Sequence, residues 1–276
     1  MLTTILEMFS YPFMLRAVIV GILVSLCAAL LGTSLVLKRY SMIGDGLSHV
    51  GFAALAVAYA ANLAPLTIAI PVCVLSAFLL LRMNENSRIK GDAATALMCS
   101  GALAVGVMTV SLTTGMNTDV CNYMFGSILA MSRTDVQISL ILSVVVIILF
   151  LLFYQRIFAV TFDETFAKAT GTRSDWYNMV LAVLTAVTVV LGMRMMGTLL
   201  ISSLIVFPSL SAMRICKKFK SVVLCSVIVS VLCFCVGIYV SYEYSTPTGA
   251  SIVIADILVF LLFSVIERMR ERTIKC

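Results

Sequence analysis

The chain has 276 residues, of which 62% are hydrophobic and 12% charged. That balance excludes a soluble globular domain, which would bury one core and expose far more charge. The formal net charge of +6 could suggest nucleic acid as a partner, but its distribution, given below, is a topology signal and argues against nucleic-acid binding.

Apolar stretches of near-spanning length recur from end to end, near 17–37, 42–61, 66–82, 93–113, 135–154, 177–193, 196–213, 221–241 and 250–267. The fold class is therefore all-α, a polytopic transmembrane helical bundle of nine spans, or eight if the second segment dips in without crossing. Residues 1–276 form a single integral-membrane domain on this reading. If the connecting loops alternate sides, every Lys and Arg except Arg16, Arg133 and Arg194 falls on one side. Such asymmetry marks the cytoplasmic face, which places the C-terminus in the cytoplasm and the N-terminus outside. The first span has no basic region ahead of it and is followed by Lys38-Arg39, so it reads as a retained helix and not a cleaved leader.

The second span holds the sole histidine, in Gly44-Asp45-Gly46-Leu47-Ser48-His49-Val50-Gly51. A spacing of four puts Asp45 and His49 on one helix face, with Cβ atoms about 5–6 Å apart. A buried Asp costs roughly 2.5–3.5 kcal/mol on insertion scales, so an intramembrane acid points to function. A hard carboxylate oxygen beside a borderline imidazole nitrogen suits Mn²⁺, Fe²⁺ or Zn²⁺. Two ligands are fewer than a closed zinc site has, which fits an ion that must leave again. The flanking glycines mark either close packing or an unwound turn, in which Leu47 and Ser48 would offer further oxygens. The plainer alternatives are an Asp–His hydrogen bond that neutralises both groups, or an Asp that caps the helix.

Further along, 113–134 is an external segment with Asn122 and Tyr123 and an apolar run too short to cross, a candidate re-entrant part of an outer gate. The cytoplasmic segment 155–177 contains Thr161-Phe162-Asp163-Glu164, a capping box with Thr161 at the N-cap. The spacing predicts a short helix over 162–170 with Phe162 and Phe166 on one face and Gly171 as its stop. It is too short to stand alone and needs a surface, either a partner protein or its own bundle. Pro208 interrupts a span rich in Ser and Gly, which predicts an interior, kinked helix. Asp256 is the other intramembrane acid, on a pathway or satisfied by a neighbouring helix. The nine cysteines show no Cys-x-x-Cys spacing and read as thiols used as small apolar residues.

Four stretches in order resemble the membrane-spanning permease of zinc/manganese ABC importers. They are Arg39-Tyr40-Ser41-Met42-Ile43-Gly44-Asp45-Gly46-Leu47-Ser48-His49, Asn122-Tyr123-Met124-Phe125-Gly126-Ser127-Ile128, Phe162-Asp163-Glu164-Thr165-Phe166-Ala167 and the run from Met196 to Pro208. The resemblance implies a type II ABC importer-like homodimer in a bacterial cytoplasmic membrane, surrounded by lipid. It implies two cytoplasmic ABC ATPase subunits and an extracytoplasmic metal-binding protein as partners. Asp45 and His49 would coordinate the transported Zn²⁺, Mn²⁺ or Fe²⁺, with no permanently bound cofactor. Phe162, Asp163, Glu164, Phe166 and Gly171 would belong to the coupling helix that meets the ATPase. Asn122, Tyr123, Pro208 and Asp256 are the candidate pathway residues.

Many members of that family follow the histidine with a proline-containing turn, whereas this chain has Val50-Gly51-Phe52-Ala53-Ala54. The chain has no Gly-Lys-Ser/Thr phosphate loop, so ATP hydrolysis would come from another polypeptide. A permease for a metal chelate such as a siderophore or cobalamin would share the architecture but have no use for the Asp45/His49 pair. An ion-coupled secondary carrier would run without an ATPase. A lone histidine with no His-Glu-x-x-His argues against a metallohydrolase.

Overall fold

The computed structural model describes residues 11–86, 91–113 and 133–275. Within them every regular element is an α-helix: α1 (Pro12–Leu37), α2 (Ile43–Ala60), α3 (Pro65–Asn86), α4 (Gly91–Leu112), α5 (Arg133–Phe162), α6 (Glu164–Ala169), α7 (Ser174–Met196), α8 (Thr198–Ile215), α9 (Phe219–Tyr244) and α10 (Thr248–Lys275). Chains this apolar must satisfy their backbone groups internally, and an unbroken helix does so within one segment. Among the described residues nine helices, all but α6, are long and apolar enough to cross a membrane.

The second segment is one of the nine. At 1.5 Å per residue, the 18 residues of α2 reach about 27 Å, close to the thickness of the hydrocarbon layer. Several helices outrun the apolar stretches that announced them, most clearly α5 and α10. No glycine or proline interrupts Phe153–Phe162 or Ile266–Lys275, so the hydrogen-bond ladder continues past the apolar boundary.

Helix α1 is a central post against which α5, α7, α8 and α9 pack. Its small residues permit this. A Cβ on Gly32 would lie 2.1 Å from the backbone oxygen of Ile205 in α8, so the two backbones touch there. Hydroxyls stitch the same surface: Ser226 donates to the Ala29 carbonyl at 3.4 Å and Ser230 to that of Ser25 at 3.1 Å. Ser209 bridges Thr33 at 3.5 Å and Ser226 at 3.3 Å. Close backbones and interhelical hydroxyls are how helices associate when lipid offers no hydrophobic drive. Helix α8 is interior, touching α1, α2, α7, α9 and α10, and it continues through the buried Pro208.

Arg194, one of the three basic residues outside the basic loops, is paired. It meets Asp135 of α5 at 2.7 Å, and both side chains are largely buried.

Gly32→Val is expected to force α1 and α8 apart and to destabilise the bundle by about 1–3 kcal/mol, the usual range for overpacking. Thermal unfolding of the detergent-solubilised protein would report a lowered midpoint. Gly101→Ala, where no atom lies within 4 Å of the added Cβ, should leave it unchanged or slightly raised.

Candidate metal centre and coupling segment

Helix α2 is the least hydropathic of the nine spans and the most enclosed, with 72% of its residues buried. It packs against α3, α4, α7 and α8. Two glycines beside Asp45 admit its neighbours. A Cβ on Gly46 would lie 2.9 Å from the Thr95 methyl of α4, and one on Gly44 would lie 3.0 Å from Ile205 of α8. The glycines therefore serve close packing. The backbone does not unwind, and Ile43–Ala60 is helical throughout. The Leu47 carbonyl accepts from the Cys73 thiol at 3.6 Å and the Ser48 hydroxyl donates to the Asp45 carbonyl at 2.7 Å, so the unwound turn that would have presented their oxygens is not formed.

Asp45 and His49 do share one face. His49 Nε2 lies 3.8 Å from Asp45 Oδ1, beyond hydrogen-bond reach, so the pair is not a neutralising hydrogen bond. Cys99 of α4 joins them, its Sγ 3.9 Å from Asp45 Oδ2. One ligand atom from each of the three residues lies within 4.8 Å of the other two. Cys27, Cys73 and Cys233 are buried and Cys99 is half-buried; the sequence reading of all nine cysteines as small apolar residues does not anticipate the Cys99 contact with Asp45. Nothing in the local sequence marks it, because the contact joins positions 54 residues apart.

The other pathway candidates lie elsewhere. Asp256 is buried in α10 at 1% exposure, facing the Cys233 thiol of α9, and is not part of the Asp45 cluster. Pro208 sits in the α8 core; its helix approaches Asp45 through Ile205. Asn122, Tyr123 and the rest of the candidate outer gate from 114 to 132 lie outside the described residues.

The cytoplasmic segment expected to form a capped helix departs from expectation by two residues. Thr161 and Phe162 still belong to α5, and the N-cap of α6 is Asp163, whose carboxylate accepts from Phe166 N at 2.9 Å. Phe162 stays on α5, with its ring 4.9 Å from Phe158 and 5.9 Å from Phe219, so it shares no helix face with Phe166. Phe166 stands 66% exposed. Gly171 ends α6 at φ 82°. Thr172 N reaches the Ala167 carbonyl at 2.9 Å and Gly171 N that of Lys168 at 3.0 Å, the paired closure of a Schellman motif.

Glu164, freed from capping, ties three elements together. It accepts from Lys38 at 3.5 Å, Asn178 at 3.3 Å, Ser174 at 3.5 Å and Lys168 at 3.2 Å. Lys38, at the C-cap of α1, is 7% exposed and also donates to Asn178 Oδ1. Burial pushes the Glu164 carboxyl up, but the Asn178 amide and the Lys168 and Lys38 ammonium groups outweigh it and hold the acid below its ordinary range. Asp163 is held low chiefly by the Phe166 N–H and next by the Thr165 hydroxyl.

Residues 10–267 match the model of the ABC-3 family, described as ABC 3 transport family. The chain belongs to this family. It is a multi-pass membrane protein and a transport permease subunit, not itself an enzyme. A Haemophilus influenzae protein named for an iron transport system is 34% identical over 95% of this chain and 93% of its own length. The high-affinity zinc uptake system membrane protein ZnuB of the same organism is 28% identical over 94% of this chain and 99% of its own length. Proteins named for manganese transport match as well. Among solved structures, PsaBC from Streptococcus pneumoniae in complex with Fab is similar at a TM-score of 0.85 and 28% identity, covering 95% of this chain and 94% of the other.

Asp163, which caps α6, and Glu164, which ties it to Lys38 and Asn178, both have folded pKa values below their unfolded ones. Their contribution is therefore full above about pH 5 and is lost as pH falls through the lower folded values. Amide protection over Glu164–Ala169, taken relative to the intrinsic exchange rate at each pH, should hold at neutral pH and fall only under more acidic conditions. Asp163→Ala should lower it already at pH 7.

Proposed function

We propose that this chain is the permease of an ATP-driven importer for a divalent transition metal ion, which Asp45 and His49 hold in transit. The observation that carries the reading is an acid and the sole histidine placed on one face of the most enclosed span, too far apart to hydrogen-bond each other. The ion is substrate and not cofactor, and the names of relatives span zinc, manganese and iron.

On this reading the whole chain acts as one membrane domain, two copies form the pathway, and the basic loops face the cytoplasm. An extracytoplasmic binding protein delivers the metal. A separate cytoplasmic ATPase receives α6 through the exposed Phe166 side. ATP-driven movement of α6 then passes through Glu164 and Lys38 to the turn that begins α2, three residues before Asp45. Lys38 is buried, so its ammonium and the Glu164 carboxylate move as a pair: separating them leaves a poorly hydrated charge.

Reconstitution of the chain with its ATPase and binding protein in vesicles tests this. Asp45→Ala and His49→Ala should abolish ATP-dependent metal uptake while the complex with the ATPase still assembles; normal uptake by both would sink the site. Glu164→Gln should lower transport per ATP hydrolysed by roughly fivefold or more, the range of a coupling free energy. Transport and hydrolysis falling in parallel would instead mean that Glu164 merely supports the fold.

A further inference from the structure

We propose that Cys99 is the third protein ligand of the transported ion and that its thiolate sets the metal, favouring Zn²⁺ over Mn²⁺. The inference rests on the metal-permease reading above and specifies which ion that site is built for. Three separate observations support it: the spacing of the donor atoms, the helix that carries the thiol, and the chemistry of the donor set.

The spacing fits a small tetrahedral ion. Zinc bonds of 2.0–2.3 Å imply ligand-to-ligand edges of about 3.3–3.8 Å. His49 Nε2 lies 3.8 Å from Asp45 Oδ1 and Cys99 Sγ 3.9 Å from Asp45 Oδ2, the two contacts reaching different oxygens of the one carboxylate. No selected pair among the three exceeds 4.8 Å, so small side-chain rotations bring all three onto one ion. Three protein ligands with a fourth position open is the arrangement of zinc sites that exchange a ligand. An ion in transit needs such an opening for its exit.

The helix carrying the thiol is positioned for it. Helices α2 and α4 run parallel, with Gly46 against Thr95 and, further along, Phe52 and Ala53 against Gly106. Cys99 lies one turn after Thr95 and so falls beside the Asp45/His49 face. It is neither fully buried like Cys73 nor spread on the lipid surface like Cys235. The site thus spans two helices, with two donors on α2 and one on α4.

The chemistry then selects. A carboxylate and an imidazole accept all three candidate ions, whereas a thiolate is a soft donor that favours zinc and is poorly matched to manganese, whose preferred partners are oxygens. Manganese also stands lowest in the general affinity order of the divalent series. Binding must displace the thiol proton, so zinc uptake releases protons at the site as the ion enters.

The test uses the assembled transporter in vesicles, with Zn²⁺ and Mn²⁺ supplied singly and in competition. Wild type should take up Zn²⁺ preferentially. Cys99→Ser should lower apparent zinc affinity at least roughly tenfold, since even outer-shell changes have effects of that size, while an unchanged thermal midpoint and assembly with the ATPase report an intact fold. Cys99→Asp should shift preference further towards Mn²⁺. A direct readout is Co²⁺ added to the purified permease, where a thiolate-to-cobalt charge-transfer band should appear in wild type and vanish in Cys99→Ser. Unchanged zinc affinity in Cys99→Ser, or a cobalt spectrum indifferent to the substitution, would overturn the assignment. If wild type moved neither ion and Asp45→Ala changed nothing, the failure would lie with the metal-permease reading itself.

Discussion

An acid and an imidazole stand on a helix long and apolar enough to span a membrane, both only half-buried, with Asp45 38% and His49 17% exposed in the side chain, and the bundle has to accommodate that pair. The helix that carries Asp45 and His49 is the least hydropathic span and the one most covered by protein. The most apolar span, α5, lies at the edge with only 22% of its window buried, and α10 with 17%. This inverts the order of a soluble protein, where the most apolar element goes to the centre. Lipid solvates apolar helices well enough for α5 and α10 to lie outside, while α2 is covered by protein, as is the post α1, which is as apolar as α10.

Enclosure without bulk requires glycine. Gly44 and Gly46 let α8 and α4 approach on either side of Asp45, and Gly51 admits Met193 of α7 at 2.5 Å from where a Cβ would stand. The nearest atom at each of these three glycines belongs to a side chain, whereas at Gly32 it is the Ile205 backbone oxygen. A side chain can yield by rotation and a backbone cannot. The α1–α8 seam is thus the stiff part of the molecule, and the walls around Asp45 are its adjustable part.

What the sequence disclosed follows from how local each feature is. Span existence depends on apolar run length, and the shared face of Asp45 and His49 depends on helical period alone; both were legible. The end of α5 was not, because Thr161 and Asp163 are both good N-caps and the choice between them is made by aromatic packing of Phe158 and Phe162 on Phe219. Glu164 looked like the reciprocal half of a capping box, yet it reaches Lys38 from 126 residues away. Cys99 was hidden for the same reason. Its role depends on the register between α2 and α4, which no window of contiguous sequence contains.

That register has a mechanical consequence. Among the described residues α4 packs substantially only on α2 and α3, while α2 is also held by α7 and α8. Two of the three clustered donors therefore sit on a helix fixed on four sides, and the third on a helix fixed on two. Displacing α4 by an ångström or two would open the cluster without disturbing the α1–α8 seam. Such a displacement changes how many of the three donors reach one point while the central post stays packed, the requirement on any site that binds on one side and releases on the other.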